Sequence, residues 1–460
     1  MYTFLEGNDR LSRILVLSRN RVGRQMSAPG IRALNVARTL VQEVPGAQVT
    51  LALPDRSDRP GEEPFAVEFY DAKSLPRLIL NHDVIVAQYV RASALPFVLG
   101  KRLVLDFFAN FVAEWLELWL ERPDHPGRTA SMDSNRRYLN LQLSQADLVL
   151  AANRRQRNLW LGALAAVGRV TPEVYDADPS LRSLIDVAPF GIRSEAAVQK
   201  EARIKGVYPG IEKDDFVLIW SGGILHWYDP TTLLQAMAIV SRARPDVKLF
   251  FLGTKYPTSD PIEGQTLTDM LELSAALGLT GRSVFFNEGW VDYEASGDYL
   301  IEADAGICTY FMNMETEFAW RVRLIDLIWA ETPIICNRGD ETAGLVEDRG
   351  LGLTIPQRDV NALADGIIKM RDDAAFRRQC AVNERSLKPE LSWSRSLQPL
   401  TNFCREMPEP SPSRSAAHTA WLAGSYFLSR GELFFRDGSA GKTLRKATAR
   451  LRPAQAPASS

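Results

Sequence analysis

The sequence predicts an α/β protein with two parallel sheets, each covered by helices, and three observations carry that prediction. Strand-like apolar runs alternate with stretches of helical periodicity along most of the 460 residues. The alternation falls into two series. Between them, residues 192–215 form a charged segment with a Pro-Gly pair at Pro209 and Gly210, which suits a boundary between domains.

The first series has strand candidates at 13–18, 48–53, 66–70, 83–88, 102–106, 146–151 and 186–190. The second begins near Phe216 and continues through 247–253, 284–287, 303–309, 333–336 and 352–355. Short apolar runs bounded by turn residues read as strands buried on both faces. The expected organisation is a first domain over 1–195, a second over 196–392, a returning helix over 393–406 and a tail over 407–460.

Composition narrows the function. A 46% apolar chain can bury ordinary cores, and a net charge of −2 gives no footprint for nucleic acid. Cys308, Cys336, Cys380 and Cys404 lack CxxC spacing and read as reduced core residues. His82, His125, His226 and His418 form no ligand cluster, so no metal is expected. No apolar run reaches the roughly 18 residues that a membrane span needs. A cytoplasmic protein, soluble or peripheral at the inner face of a membrane, is the expectation.

Three loops have the composition of ligand sites. The stretch after the first strand carries Gly23 and Gly30 and leads into a helix, where glycines let the backbone approach a ligand. It lacks full GxGxxG spacing, and no acid ends the second strand, so a dinucleotide is disfavoured. Asp106 closes the run Leu103-Val-Leu-Asp at the carboxyl edge of a strand, where open α/β sheets bind ligands; a helix cap or a salt bridge is its alternative role. In the second series, Gly222-Gly223 follows the first strand and leaves N–H groups free for phosphate, with Asp229 as a helix cap and Pro230 at the first helical position.

The segment 315–336 concentrates charge: Glu315 and Glu317, then Arg321, Arg323 and Asp326 on a helix that Pro333 ends. A first-turn arginine is unusual, because the helix dipole there favours negative charge. An anion docked at that end explains it, with an exposed ion-pair lattice on an ordinary helix as the alternative, and Arg321 is expected to matter more than Arg323 because it is nearer the terminus.

This segment resembles the donor-binding segment of retaining, GT-B-type glycosyltransferases of glycosyltransferase family 4. In that family a glutamate precedes a Phe-Gly pair, a second acid follows eight residues after the first, and Gly-Thr-Pro closes the helix. Aligned on Thr332-Pro333, the second acid is Asp326, Trp320-Arg321 takes the Phe-Gly place, and Phe318 holds the first glutamate's slot. The stretch Asn287-Glu-Gly289-Trp290-Val291-Asp-Tyr293 is similar to the family's Gly-x-Val turn at the nucleobase. The Arg/Lys pair that better-known members carry after the glycine turn is absent, as is the histidine that often precedes the residue at Asp106.

The resemblance implies a GT-B fold, two Rossmann-like domains facing a cleft, with a nucleotide-sugar on the second and a saccharide or lipid-linked acceptor mainly on the first. It implies glycosyl transfer from a nucleoside diphosphate sugar with retention, without a metal or other cofactor. Arg321, Arg323 and Lys255 are the cations available to the diphosphate, with Gly222-Gly223 supplying N–H groups. Gly289, Trp290 and Val291 would take the base, Asp326 the ribose, and Glu315 or Glu317 the hexose. A sugar-nucleotide epimerase of the same architecture, or a non-catalytic scaffold keeping the fold, are the alternatives.

Beyond a Pro- and Ser-rich linker, the tail mixes Trp421, Leu422, Tyr426, Phe427, Leu428 and Leu433 with the cations Lys442, Arg445, Lys446, Arg450 and Arg452. Such a segment, 421–452, suits peripheral contact with an anionic membrane face; packing on its own domain is the alternative.

Overall fold

Strands buried on both faces pair in parallel in two separate sheets. The structure, a computed structural model, describes residues 12–54, 60–254, 265–409 and 416–436. The first sheet contains β1 (Arg13–Leu17), β2 (Gln48–Leu53), β3 (Ala66–Phe69), β4 (Val84–Ala87), β5 (Arg102–Phe107), β6 (Leu148–Ala151) and β7 (Ile185–Val187), in the order β3-β2-β1-β4-β5-β6-β7. The second contains β8 (Phe216–Trp220), β9 (Val247–Phe251), β10 (Val284–Phe286), β11 (Ala305–Cys308), β12 (Ile334–Asn337) and β13 (Gly352–Ile355), in the order β10-β9-β8-β11-β12-β13. Every strand candidate from the sequence is present. The largest offset is at 186–190, where the strand is shorter and starts one residue earlier.

Strand order reverses between β1 and β4 in the first sheet and between β8 and β11 in the second. Ligands of open parallel sheets bind outside the carboxyl ends of the strands at such reversals. The loops after β1, β4 and β8 all reach one cavity, through Met26 to Pro29, Gln88, and Ser221 to Gly223.

The first sheet packs a hydrophobic cluster on each face, and the chain after residue 390 contributes to both. Trp393, Leu397, Leu400, Phe403 and Cys404 are buried in one of them, so the helices Trp393–Ser396 and Gln398–Glu406 lie on the first sheet. Gly191 makes room for this return, since a Cβ there would lie 2.6 Å from the Trp393 ring. Leu422 and Tyr426 enter the other cluster, as the helix Ala416–Arg436 packs along Arg128–Leu143. Arg137 donates to Ser425 and Gln145 to Thr419 across that contact. The described part of the tail therefore joins the first domain, while Trp421 (67% exposed) and Leu428 (79%) stay in solvent. The cations Lys442, Arg445, Lys446, Arg450 and Arg452 lie outside the described residues. All four cysteines are buried and free.

One buried acid works against stability. Glu384, on the helix Ala374–Leu387, is fully buried, and neither carboxyl oxygen has a hydrogen-bond partner among the described residues. Burial, helped by nearby Glu331, pushes its pKa well above the ordinary value. Folded Glu384 keeps its proton while the unfolded chain loses it near pH 4.3, so stability falls as pH rises above that point. Glu384→Leu is expected to stabilise the protein by about 1–3 kcal/mol, the usual cost of a buried unpaired polar group, and by more at pH 8 than at pH 5. Thermal melts at the two pH values check this; a lower Tm for the variant at pH 8 would overturn it.

Candidate active site

A cavity of about 320 Å³ lies between the two sheets. Its second-domain wall contains Ser221, Gly222, Gly223, Trp290, Val291, Tyr293, Glu315, Arg321, Arg323 and Asp326. Its first-domain wall contains Gln88, Asn110, Glu114 and the loop from Met26 to Pro29. The two domains lock over it. Tyr293 N–H donates to the Arg24 carbonyl at 2.8 Å, Trp290 Nε1 to the Met26 carbonyl at 3.2 Å, and Arg24 pairs with Asp292 at 2.5 Å. On the far side Asn153 Nδ2 donates to the Phe318 carbonyl at 3.0 Å, and His226 Nε2 lies 2.9 Å from Glu117 Oε2.

The two arginines differ in what they are free to do. Arg321 is the N-cap residue of Val322–Ala330, outside its first turn, and its side chain is 3% exposed. Its Nε donates to Asp340 at 2.9 Å and its Nη2 lies 3.5 Å from Glu315, with the guanidinium over the Tyr310 ring at 4.4 Å. Burial opposes the charge, but Glu315 and Asp340 outweigh it and raise the pKa. Two carboxylates thus explain a cation at this helix end. Arg323 lies one residue into the helix, stacked 4.0 Å over Tyr228, with Nη2 donating to the Gly223 carbonyl at 3.0 Å. Its Nη1 is buried without a partner among the described residues. Ser221 Oγ and Trp227 Nε1, on the same cavity wall, are likewise buried and unpartnered. Buried donors without partners cost about 1–3 kcal/mol each, so a ligand anion would satisfy a standing demand here.

The acids sort in a similar way. Glu315 faces the cavity, and burial raises its pKa although Arg321 opposes the shift. Glu317, two residues on in the helix Met314–Phe318, is exposed and does not line the cavity. Asp326 lines it, 3.6 Å from Arg193 Nε; burial raises its pKa against the pull of that arginine. Asp106 is not in this cavity. It is buried in a two-pronged pair with Arg32, at 2.7 Å for each contact, and Arg32 also donates to the Ala188 and Pro189 carbonyls. The salt-bridge alternative is the one the structure contains, because successive residues of β5 point to opposite faces and Asp106 meets the helix Ala28–Glu43.

The glycines divide too. Gly222 adopts φ +82°, which favours glycine, and borders the cavity with Gly223. Gly289 adopts φ +105° and turns the chain so that Trp290 and Val291 line the cavity, without lining it itself. Gly30 serves packing, because a Cβ there would lie 2.2 Å from the Arg21 carbonyl. Neither Gly30 nor Gly23 lines the cavity; Met26 to Pro29 between them do. Lys255 lies outside the described residues.

The sequence reading missed Gln88, Asn110, Glu114, Ser221, Trp227 and Arg193. Asn110 and Glu114 had a local signal. Asn110 caps the helix Phe111–Leu118, its Oδ1 accepting from Ala113 N at 3.3 Å, just past the carboxyl edge of β5. A cap followed by an acid one turn later at a strand's carboxyl edge marks a cavity wall.

Residues 207–387 match the family described as Glycosyl transferases group 1. No curated protein sequence matches the chain. Among solved structures, a sucrose-phosphate synthase from Thermosynechococcus elongatus is similar at 16% identity and a TM-score of 0.59, covering 86% of this chain and 99% of that one. An E. coli structure titled trehalose-6-phosphate bound with UDP-2-fluoro glucose gives 13% identity and 0.58, with 86% and 99% covered. Anabaena HepE in complex with UDP and glucose gives 15% and 0.57, with 86% and 100% covered. These likenesses show the fold, and the two facing parallel-sheet domains are the GT-B architecture.

Proposed function

We propose that this protein is a glycosyltransferase that moves a sugar from a nucleoside diphosphate sugar to a saccharide or lipid-linked acceptor, with retention and without a metal. The observation that carries the reading is the set of unpartnered buried donors, Arg323 Nη1, Ser221 Oγ and Trp227 Nε1, beside the Gly222-Gly223 turn. They surround a place where a diphosphate would find a cation, a hydroxyl and free N–H groups. Preorganised donors of this kind stabilise the charge that develops on a leaving diphosphate. Asp326, Glu315, Trp290 and Tyr293 all line the cavity, and in this reading Asp326 takes the ribose hydroxyls, Glu315 the hexose hydroxyls, and Trp290 or Tyr293 the base.

UDP-glucose heads the donors to test, because the titles of similar structures print UDP or UDP-glucose. Calorimetry with UDP-glucose and GDP-mannose, followed by assay of released nucleoside diphosphate with and without EDTA, tests the reading. Binding of one donor and release that survives EDTA are expected. No binding of either would reject the donor site, and loss in EDTA restored by Mg²⁺ or Mn²⁺ would reject metal-free transfer.

A lipid-linked acceptor belongs to the same proposal, since Trp421, Phe427 and Leu428 form an exposed apolar face on the tail helix. No described helix is long and apolar enough to cross a membrane. Full-length protein is expected to pellet with anionic vesicles at low salt, and Trp421→Ser/Leu428→Ser to pellet less at an unchanged Tm. Equal pelleting of the two, or none, favours a soluble acceptor.

A further inference from the structure

The donor reading leaves the first-domain wall of the cavity without a role, and three side chains there carry polar groups without a partner among the described residues. Gln88, just after β4, and Glu114, on the helix after β5, have no side-chain partner among the described residues. Asn110 Nδ2, one turn before Glu114, is buried and also unpartnered. The helix Phe111–Leu118 packs against Met314–Phe318, which sets Glu114 beside Glu315 across the domain boundary. Glu315 has the Arg321 guanidinium 3.5 Å away; Glu114 has no cation. Among the described residues the first domain gives this cavity one cation, Arg193, and it is engaged with Asp326, Ser296 and the Tyr293 carbonyl.

We propose that Gln88, Asn110 and Glu114 form the acceptor subsite for a neutral, hydroxyl-bearing molecule, and that Glu114 takes the proton of the attacking hydroxyl. This rests on the glycosyltransferase reading. Amide donors and a carboxylate acceptor match the two-way hydrogen bonding of sugar hydroxyls, while a wall whose carboxylate is unpaired and whose one cation, Arg193, is already paired among the described residues disfavours a phosphate. In the step, the acceptor oxygen forms a bond to the anomeric carbon on the face from which the phosphate oxygen leaves, as retention requires, and the bond from that carbon to the phosphate oxygen breaks. The electron pair leaves with the nucleoside diphosphate, the hydroxyl proton passes to the Glu114 carboxylate, and Glu114 returns it to solvent.

Burial and the charge of Glu315 push the Glu114 pKa up to about 7, where a base is most effective near neutral pH. Arg193, Arg321 and Arg323 also line this cavity. Glu117, one turn along, is engaged by His226, and Asp133 on the neighbouring helix is engaged by Arg136 and Arg137.

The test uses UDP-glucose or GDP-mannose, whichever of the two binds, with water as the acceptor and release of the nucleoside diphosphate as the readout. The wild-type rate should rise with pH through about 7 and level off. Glu114→Gln should be flat with pH and roughly 100-fold slower at pH 8, the usual size of a general-base effect, with donor Kd and Tm unchanged. Glu114→Ala should regain rate when formate is added. A Glu114→Gln profile that still rises like the wild type, or a variant that no longer binds donor, would overturn the assignment. Failure of the wild type itself to bind either donor would reject the donor reading, and with it this subsite.

Discussion

Arg323→Ala is expected to slow turnover roughly 30- to 1000-fold, or about 2–4 kcal/mol, while the Tm stays close to wild type. The guanidinium is fixed from both sides, by the Tyr228 ring 4.0 Å away and by the Gly223 carbonyl at 3.0 Å, and its Nη1 has no partner among the described residues. Its position next to the glycine turn makes it, among the described residues, the cation nearest the proposed diphosphate. Removing it exposes no carboxylate, so the fold should tolerate the change. Arg323→Lys should recover only part of the rate, because an ammonium cannot hold the stack and the carbonyl while presenting a second N–H. Nucleoside diphosphate release checks both variants. Turnover of Arg323→Ala within threefold of wild type would remove this residue from the donor site.

Arg321→Ala should do the opposite, and destabilise the fold by about 3–5 kcal/mol, the usual cost of removing one partner of a buried ion pair. Asp340, whose side chain is 0% exposed, would keep only its cap on Ala343 N–H, at 2.7 Å, and Glu315 would lose its counter-charge. A loss on that scale lowers the Tm by on the order of 10 °C in a domain of this size. Differential scanning calorimetry of Arg321→Ala beside Arg323→Ala separates the two roles. A wild-type Tm for Arg321→Ala with lost turnover would mean that this guanidinium serves the substrate.

The pair shows where reading the sequence went astray. A cation beside a helix N-terminus invited an anion, and of two arginines two residues apart the one nearer the terminus, Arg321, took the stronger claim. The anion that answers Arg321 is Asp340, 19 residues away on the loop after β12, and no local pattern points to it. Asp106 went astray for the same reason, as Arg32 lies 74 residues earlier. Glu315 and Glu317 were left as equals, and the short helix Met314–Phe318 turns only Glu315 to the cavity. Glu114 drew no attention because its importance depends on a helix of the other domain.

What the sequence determined by itself was everything that rests on neighbours along the chain. Apolar runs on both faces mark parallel strands, Asp229 accepts from Thr232 N–H at 2.9 Å with Pro230 beside it, and Pro333 ends a helix, because these effects act within one or two turns. Tertiary structure decided which charges are spent and which are free. Desolvation and pairing act through space, so Arg321 and Asp106 are neutralised by residues distant in sequence, while Arg323 and Glu114 reach the cavity without an ion-pair partner among the described residues. It also decided the tail, whose Tyr426 rests 4.8 Å from Tyr138. An amphipathic helix shows its apolar face in the sequence, but what covers that face depends on where the rest of the chain lies.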